Sequence, residues 1–154
     1  MEQADRGTRV THAIKRSNLQ QSGVRILVVD DEPEVAETLR DILVNVGFEV
    51  ETAENGKRAM GLLRDFQHFD LVISDMNMPE MGGLELLKQI HQLREDLPVI
   101  ILTGWATVEN GIESVEQGVS DYVLKPFNVE KLMSAVIRGV SKSRPDVEAV
   151  YAPS

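Results

Sequence analysis

From residue 24 onward two periods of apolar residues alternate along the chain. "VRILVV" (24–29) is a short apolar run with one charge, at Arg25, and predicts a strand buried on both faces. Pro33 then stands where a first helical turn tolerates it. Val35, Leu39, Ile42, Leu43 and Val46 follow at helical spacing, up to a stop at Gly47. "FEVETA" (48–53) alternates apolar with polar and predicts a second strand, and "NGKRAMGLLRDF" (55–66) sets Ala59, Leu62, Leu63 and Phe66 on one face of a second helix. "DLVISD" (70–75) predicts a third strand, and "GLELLKQIHQL" (83–93) a third helix turning Leu86, Leu87, Ile90 and Leu93 inward. "PVIILTG" (98–104) predicts a fourth strand, and "VENGIESVEQ" (108–117) a fourth helix exposing Glu109, Glu113 and Glu116. "DYVLKP" (121–126) predicts a fifth strand, and Val129 to Ser141 a fifth helix with Leu132, Met133, Val136, Ile137 and Val140 inward.

Five strands alternating with five helices call for an α/β architecture: a doubly wound, five-stranded parallel sheet with helices on both faces. Residues 1–22 and 143–154 lack sustained periodicity and are expected to be N- and C-terminal tails flanking one domain over 23–142. A length of 154 residues suits one full hydrophobic core and is short for two.

Composition narrows the class. The absence of cysteine excludes a disulfide framework and thiolate metal sites. The longest apolar runs, "ILVV" and "VIIL", are four residues, so nothing in the sequence spans a membrane. The N-terminus shows no signal-peptide core, and a cytoplasmic location is expected. The net charge of −9 is uneven. Arg6, Arg9, Lys15 and Arg16 outnumber Glu2 and Asp5 in residues 1–22, a net +2 that leaves −11 on the remainder. So acidic a body repels nucleic acid, and no direct nucleic-acid binding is expected.

In an open parallel sheet, sites lie just beyond the carboxyl ends of the strands. The first predicted strand ends on Asp30 and Asp31, the third on Asp75, the fourth on Thr103, and the fifth on Lys125 followed by Pro126. With the first, third and fourth strands as neighbours, three aspartates converge, and their repulsion needs a counter-charge. A hard cation such as Mg2+ binds through a few carboxylates and keeps several waters, while Lys125 supplies a fixed ammonium. A carboxylate so oriented can attack a phosphoryl group and form an aspartyl phosphate, with Lys125 and the Thr103 hydroxyl on the phosphoryl oxygens.

The segments "VVDDEPEV", "DLVISDMNMPEMGGLELL", "VIILTGWA" and "DYVLKPF" together resemble the receiver domain of two-component response regulators, over about residues 24–141. The resemblance implies a flavodoxin-like fold with strand order 2-1-3-4-5. It implies Asp75 as phosphoacceptor, and Mg2+ held by Asp31 directly, by Asp30 mostly through water, and by the Asn77 backbone carbonyl. It further implies Thr103 and Lys125 on the phosphoryl oxygens, Tyr122 as the rotating aromatic of a Thr103/Tyr122 switch, and a cis Lys125–Pro126 bond. Gly104 leaves space at the site rim, where Trp105 is bulky. The implied phosphodonor is a histidine kinase or phosphotransfer protein. The protein is then a regulatory phosphoacceptor and not an enzyme beyond its own phosphorylation and dephosphorylation.

Each residue has a plainer role as well. Asp31 suits the N-cap of the helix starting near Pro33, and Asp75 and Asn77 suit a turn before Pro79 and Gly82–Gly83. Thr103 suits a strand end and Tyr122 a core aromatic. What singles the set out is the ordered conjunction at successive strand ends. His12, His68 and His91 have no ligand spacing, and neither a Gly-rich nucleotide loop nor a Ser-His-Asp order occurs. Two rivals remain open: a phosphatase of the haloacid-dehalogenase type and a receiver-like binding module never phosphorylated. Against the first, the D-x-D position reads Asp75-Met76-Asn77, and Asn is no acid/base. Output is expected through the face of the fourth helix, fifth strand and fifth helix. Glu109, Glu113 and Glu116 face Lys131 and Arg138 there, suiting a homodimer or a downstream protein. The chain is expected to be either a stand-alone receiver or part of a longer regulator.

Overall fold

The computed structural model describes residues 23–65, 68–104, 118–142 and 144–147. Among them are β1 (Arg25–Val29), α1 (Pro33–Val46), β2 (Glu49–Ala53), α2 (Gly56–Arg64), β3 (Leu71–Asp75), α3 (Gly83–Leu93), β4 (Val99–Thr103), β5 (Asp121–Leu124) and α4 (Val129–Ser141). The helix predicted at 108–117, with Glu109, Glu113 and Glu116, lies outside the described residues, as do Trp105 and residues 1–22.

The five strands form one parallel sheet in the order β2-β1-β3-β4-β5, the flavodoxin-like order, as expected. Alternate residues feed two core layers. Ile26, Val28, Leu71, Ile73, Ile100 and Leu102 point to the side covered by α1 and α4. Leu27, Val29, Val72, Val99 and Ile101 point to the side covered by α2 and α3. β3 and β4 are buried at every position, which is why they read as continuous apolar runs. β2 and β5 are edges, with mixed burial.

Local chemistry sets the helix ends. Pro33 opens α1, and Gly47, at φ 123°, closes it by donating its N–H to the Leu43 and Val44 carbonyls. Asn55 and Asn128 cap α2 and α4 by accepting the N–H groups of Arg58 and Lys131. Leu93, expected inward, is instead exposed at the last turn of α3, beyond the reach of the core it was spaced to meet. No helix among the described residues is long and apolar enough to cross a membrane.

Candidate functional site

Strand register brings the acidic groups together. Val29 pairs with Ser74, so one step further Asp30 lies beside Asp75 at the carboxyl ends of β1 and β3. Asp75 in turn pairs with Leu102, which puts Thr103 at the next strand end, and Thr103 pairs with Leu124 just before Lys125. Asp30, Asp31 and Asp75 each offer a carboxylate oxygen, and these atoms all lie within 4.8 Å of one another. Asp30 and Asp75 are buried, while Asp31 is exposed at the rim.

The three carboxylates are used differently. Asp30 Oδ1 accepts the Glu32 N–H at 2.8 Å, which fixes the sharp turn into α1. Its Oδ2 is buried with no hydrogen-bond partner among the described residues; Lys125 Nζ is 3.8 Å away. Burial raises the Asp30 pKa above the ordinary carboxylate value. The Glu32 N–H opposes this, the Asp75 charge adds to it, Lys125 opposes it, and Asp31 adds to it. Asp75 Oδ1 takes Lys125 Nζ at 2.5 Å, and Oδ2 accepts the Asn77 N–H at 3.1 Å. The turn role foreseen for Asp75 is therefore real, but it occupies one oxygen only. Asp31 is not the helix cap. Glu32 holds that position without a side-chain hydrogen bond, and the Asp31 carboxylate is left to face the cluster.

Lys125 is the counter-charge. Burial by itself would lower its pKa, but the hydrogen bond and charge of Asp75, with Asp30 and Glu32, raise it above the usual lysine value. The ammonium is thus held protonated beside Asp75. The Lys125–Pro126 peptide is cis, and the Lys125 N–H donates to the Thr103 carbonyl at 2.6 Å, which ties the fifth strand end to the fourth.

The loop from Asp75 to α3 is pinned by close backbone approach. Gly83 donates its N–H to the Met76 carbonyl at 2.8 Å, and a Cβ on Gly83 would stand 2.5 Å from the Asp75 carbonyl oxygen. The Gly82–Gly83 pair was legible as a turn, whereas this contact with the backbone of Asp75 itself was not. Thr103 is buried at the end of β4, and a Cβ on Gly104 would meet no described atom within 4 Å. The Tyr122 hydroxyl is buried near Thr103, outside hydrogen-bonding geometry with any described residue. Burial raises its pKa, and the Thr103 hydroxyl partly offsets this. Strand pairing places Tyr122 beside Ile101, on the same side of the sheet as Thr103.

A hard, oxygen-rich cluster with one buried carboxylate oxygen that accepts no hydrogen bond among the described residues suits a small divalent cation. Comparisons with known proteins identify the family. The family described as "Response regulator receiver domain" matches residues 26–137. The regulatory protein AtoC of Escherichia coli K12 is 40% identical over 116 residues, 75% of this chain and 25% of that protein. The response regulator MprA of Mycolicibacterium vanbaalenii is 37% identical over 123 residues, 80% of this chain and 53% of that protein. The chain thus spans a quarter to about half of the length of these two relatives. Among solved structures, the response regulator TrrA of Thermotoga maritima, in complex with Mg2+ and BeF, superimposes with a TM-score of 0.69 at 37% identity, covering 75% of this chain and 98% of that one. A receiver domain from Clostridium thermocellum gives a TM-score of 0.75 at 29% identity, with 79% and 98% covered. The strand-end cluster and these likenesses agree on a receiver unit over the matched residues. The chain belongs to the response regulator receiver domain family.

Proposed function

We propose that Asp75 accepts a phosphoryl group from a histidine kinase or phosphotransfer protein, with Mg2+, and that the phosphorylated chain signals through the face of β5 and α4. The observation that carries this is the unequal use of the three carboxylates. Asp75 is oriented by Lys125 and the Asn77 N–H, while Asp30 Oδ2 and Asp31 are left without hydrogen bonds among the described residues. Asp30, Asp31, Asp75 and the backbone carbonyl of Asn77 would hold the ion. Bound there, Mg2+ supplies charge neutralisation for the phosphoryl oxygens.

In the transfer, an Asp75 carboxylate oxygen forms a bond to phosphorus as the phosphorus–nitrogen bond of the donor phosphohistidine breaks, and the departing imidazole takes up a proton. Lys125 and the Thr103 hydroxyl bind the phosphoryl oxygens, where a fixed ammonium and a preorganised donor stabilise developing charge. Hydrolysis of the acyl phosphate returns the chain to its starting state.

The Thr103 hydroxyl is the natural sensor. Drawn to the phosphoryl group, it leaves the neighbourhood of the Tyr122 hydroxyl and changes the packing of that ring, a local event that biases β5 and its surroundings. The same strand carries Leu124, 52% exposed, beside a groove that Lys131 and Arg138 of α4 also line. Arg138 is already paired with Asp121, at 2.5 Å and 3.1 Å, so Lys131 is the cation left to meet an acidic partner surface. A two-fold contact between copies is the preferred output, and docking of a downstream protein the alternative.

The deciding experiment is Mg2+-dependent acyl-phosphate formation from a small phosphodonor, compared between the native chain and Asp75→Asn. Loss of labelling in the variant is expected, since an amide is a poor nucleophile. Labelling undiminished and resistant to hydroxylamine would remove Asp75 from the role.

A further inference from the structure

At the pole of the sheet opposite Asp30 and Asp75 a third carboxylate is buried. Asp70 is 2% exposed and stands immediately before β3. Its Oδ2 accepts the Arg25 N–H at 3.0 Å, and its own N–H donates to the Arg25 carbonyl at 2.8 Å, so it stitches the start of β1 to the start of β3. Oδ1 meets His68 Nε2 at 2.9 Å, and Arg144 Nη1 is 3.7 Å from Oδ2. A carboxylate this deeply placed is costly unless cations and N–H groups surround it. One of those cations comes from beyond the last helix.

Past α4 the chain does not simply trail away. The Arg144 N–H donates to the Val140 carbonyl at 2.9 Å, which carries helical hydrogen bonding past Ser141. Pro145 opens a further turn, where its fixed φ is an advantage. The Val147 N–H closes that turn on the Arg144 carbonyl at 2.9 Å. Arg144 braces the turn from its side chain as well, holding both oxygens of Asp146 at 3.2 Å and 3.3 Å. Val147 is then 0% exposed and joins the core layer that contains Val140 and Leu71. Two distinct interactions, one ionic and one apolar, thus hold the same four residues.

We propose that residues 144–147 are a C-terminal clasp, keyed by Arg144 on Asp70 and plugged by Val147, which extends the folded unit past α4 and fixes the chain's departure point at the amino-terminal pole of the sheet. Asp75 stands five steps along the strand from Asp70, about 17 Å at the usual rise. The clasp therefore presents whatever lies beyond Val147 from a defined position, remote from the site, instead of from a free linker.

Amide hydrogen exchange on the full 154-residue chain tests this, comparing the native protein with Arg144→Gln and Val147→Ala. In the native chain the Arg144 and Val147 amides are expected to exchange well below the rate of unstructured peptide. Val147→Ala should speed them by about tenfold, the effect of two buried methyl groups. Arg144→Gln should do the same while touching no core side chain. Exchange in β3, read together with these amides, should stay slower than theirs in every variant, and beryllofluoride binding with Mg2+ at the other pole should stay unchanged. Native amides at 144 and 147 exchanging at the unstructured rate would overturn the clasp. So would no response of these amides to either variant.

Discussion

Side by side at one strand end, Asp30 and Asp31 do different work, and substitution should separate them. Asp31 caps nothing and faces two other carboxylates. Asp31→Ala is therefore expected to raise the chemical-denaturation midpoint of the metal-free protein by relieving repulsion, and to weaken Mg2+ binding more than Asp30→Asn does. The midpoint and a Mg2+ titration check the two halves separately; a clear fall in midpoint would contradict the repulsion argument. Tyr122 gives a pH prediction. Its pKa is raised in the folded state, so the unfolded chain loses that proton first as pH rises past 10.0. The stability contributed by the neutral hydroxyl is whole below 10.0 and lost as pH climbs through the folded value. Tyr122→Phe should flatten the alkaline fall in denaturation midpoint, and an unaltered fall would place the hydroxyl in water. These roles were legible only in part. The aspartates, Thr103 and Lys125 were visible because they end strands in order, whereas Tyr122, inside the fifth strand, was singled out only by the family resemblance. That Glu32, and not Asp31, occupies the cap position was not, since either residue fits the local sequence and only the fold decides.

At the scale of elements, two glycines make opposite predictions from similar crowding. A Cβ on Gly83 would meet the Asp75 carbonyl oxygen at 2.5 Å and Met76 Cα at 3.1 Å, both backbone atoms that cannot step aside. Gly83→Ala should cost about 1–3 kcal/mol of stability and slow phosphorylation by moving Asp75. A Cβ on Gly139 in α4 would meet only side chains, the nearest being Leu71 Cδ1 at 2.9 Å. Gly139→Ala also gains about 1 kcal/mol of helix propensity, so it should come out near neutral. Urea denaturation of both variants makes the comparison, and equal losses would mean that Leu71 has no room to turn. The elements themselves were plain in the apolar periods, because β1, β3 and β4 are buried on both faces and each helix carries one apolar stripe. The turn at 145–147 was not. A single valine in a polar stretch has no period, and its burial depends on Asp70 and α4, far away in sequence.

For the whole molecule, phosphorylation is expected to act on association. Sedimentation of the chain with beryllofluoride and Mg2+ should show a shift toward dimer that weakens with added salt, because Lys131 and the Asp121–Arg138 pair lie at the exposed groove. A monomer at every concentration would leave docking of a different protein as the output. The pole opposite the site carries another consequence. Arg25, which begins β1, and Arg144, beyond α4, both touch Asp70, so among the described residues the first strand and the last turn meet at one carboxylate. The order in which the polypeptide visits its elements is then separable from the fold they build. Joining Val147 to Gly23 with a short glycine-rich linker and reopening the chain at the exposed Glu95–Asp96 turn should give a circular permutant with the same sheet and the same beryllofluoride affinity.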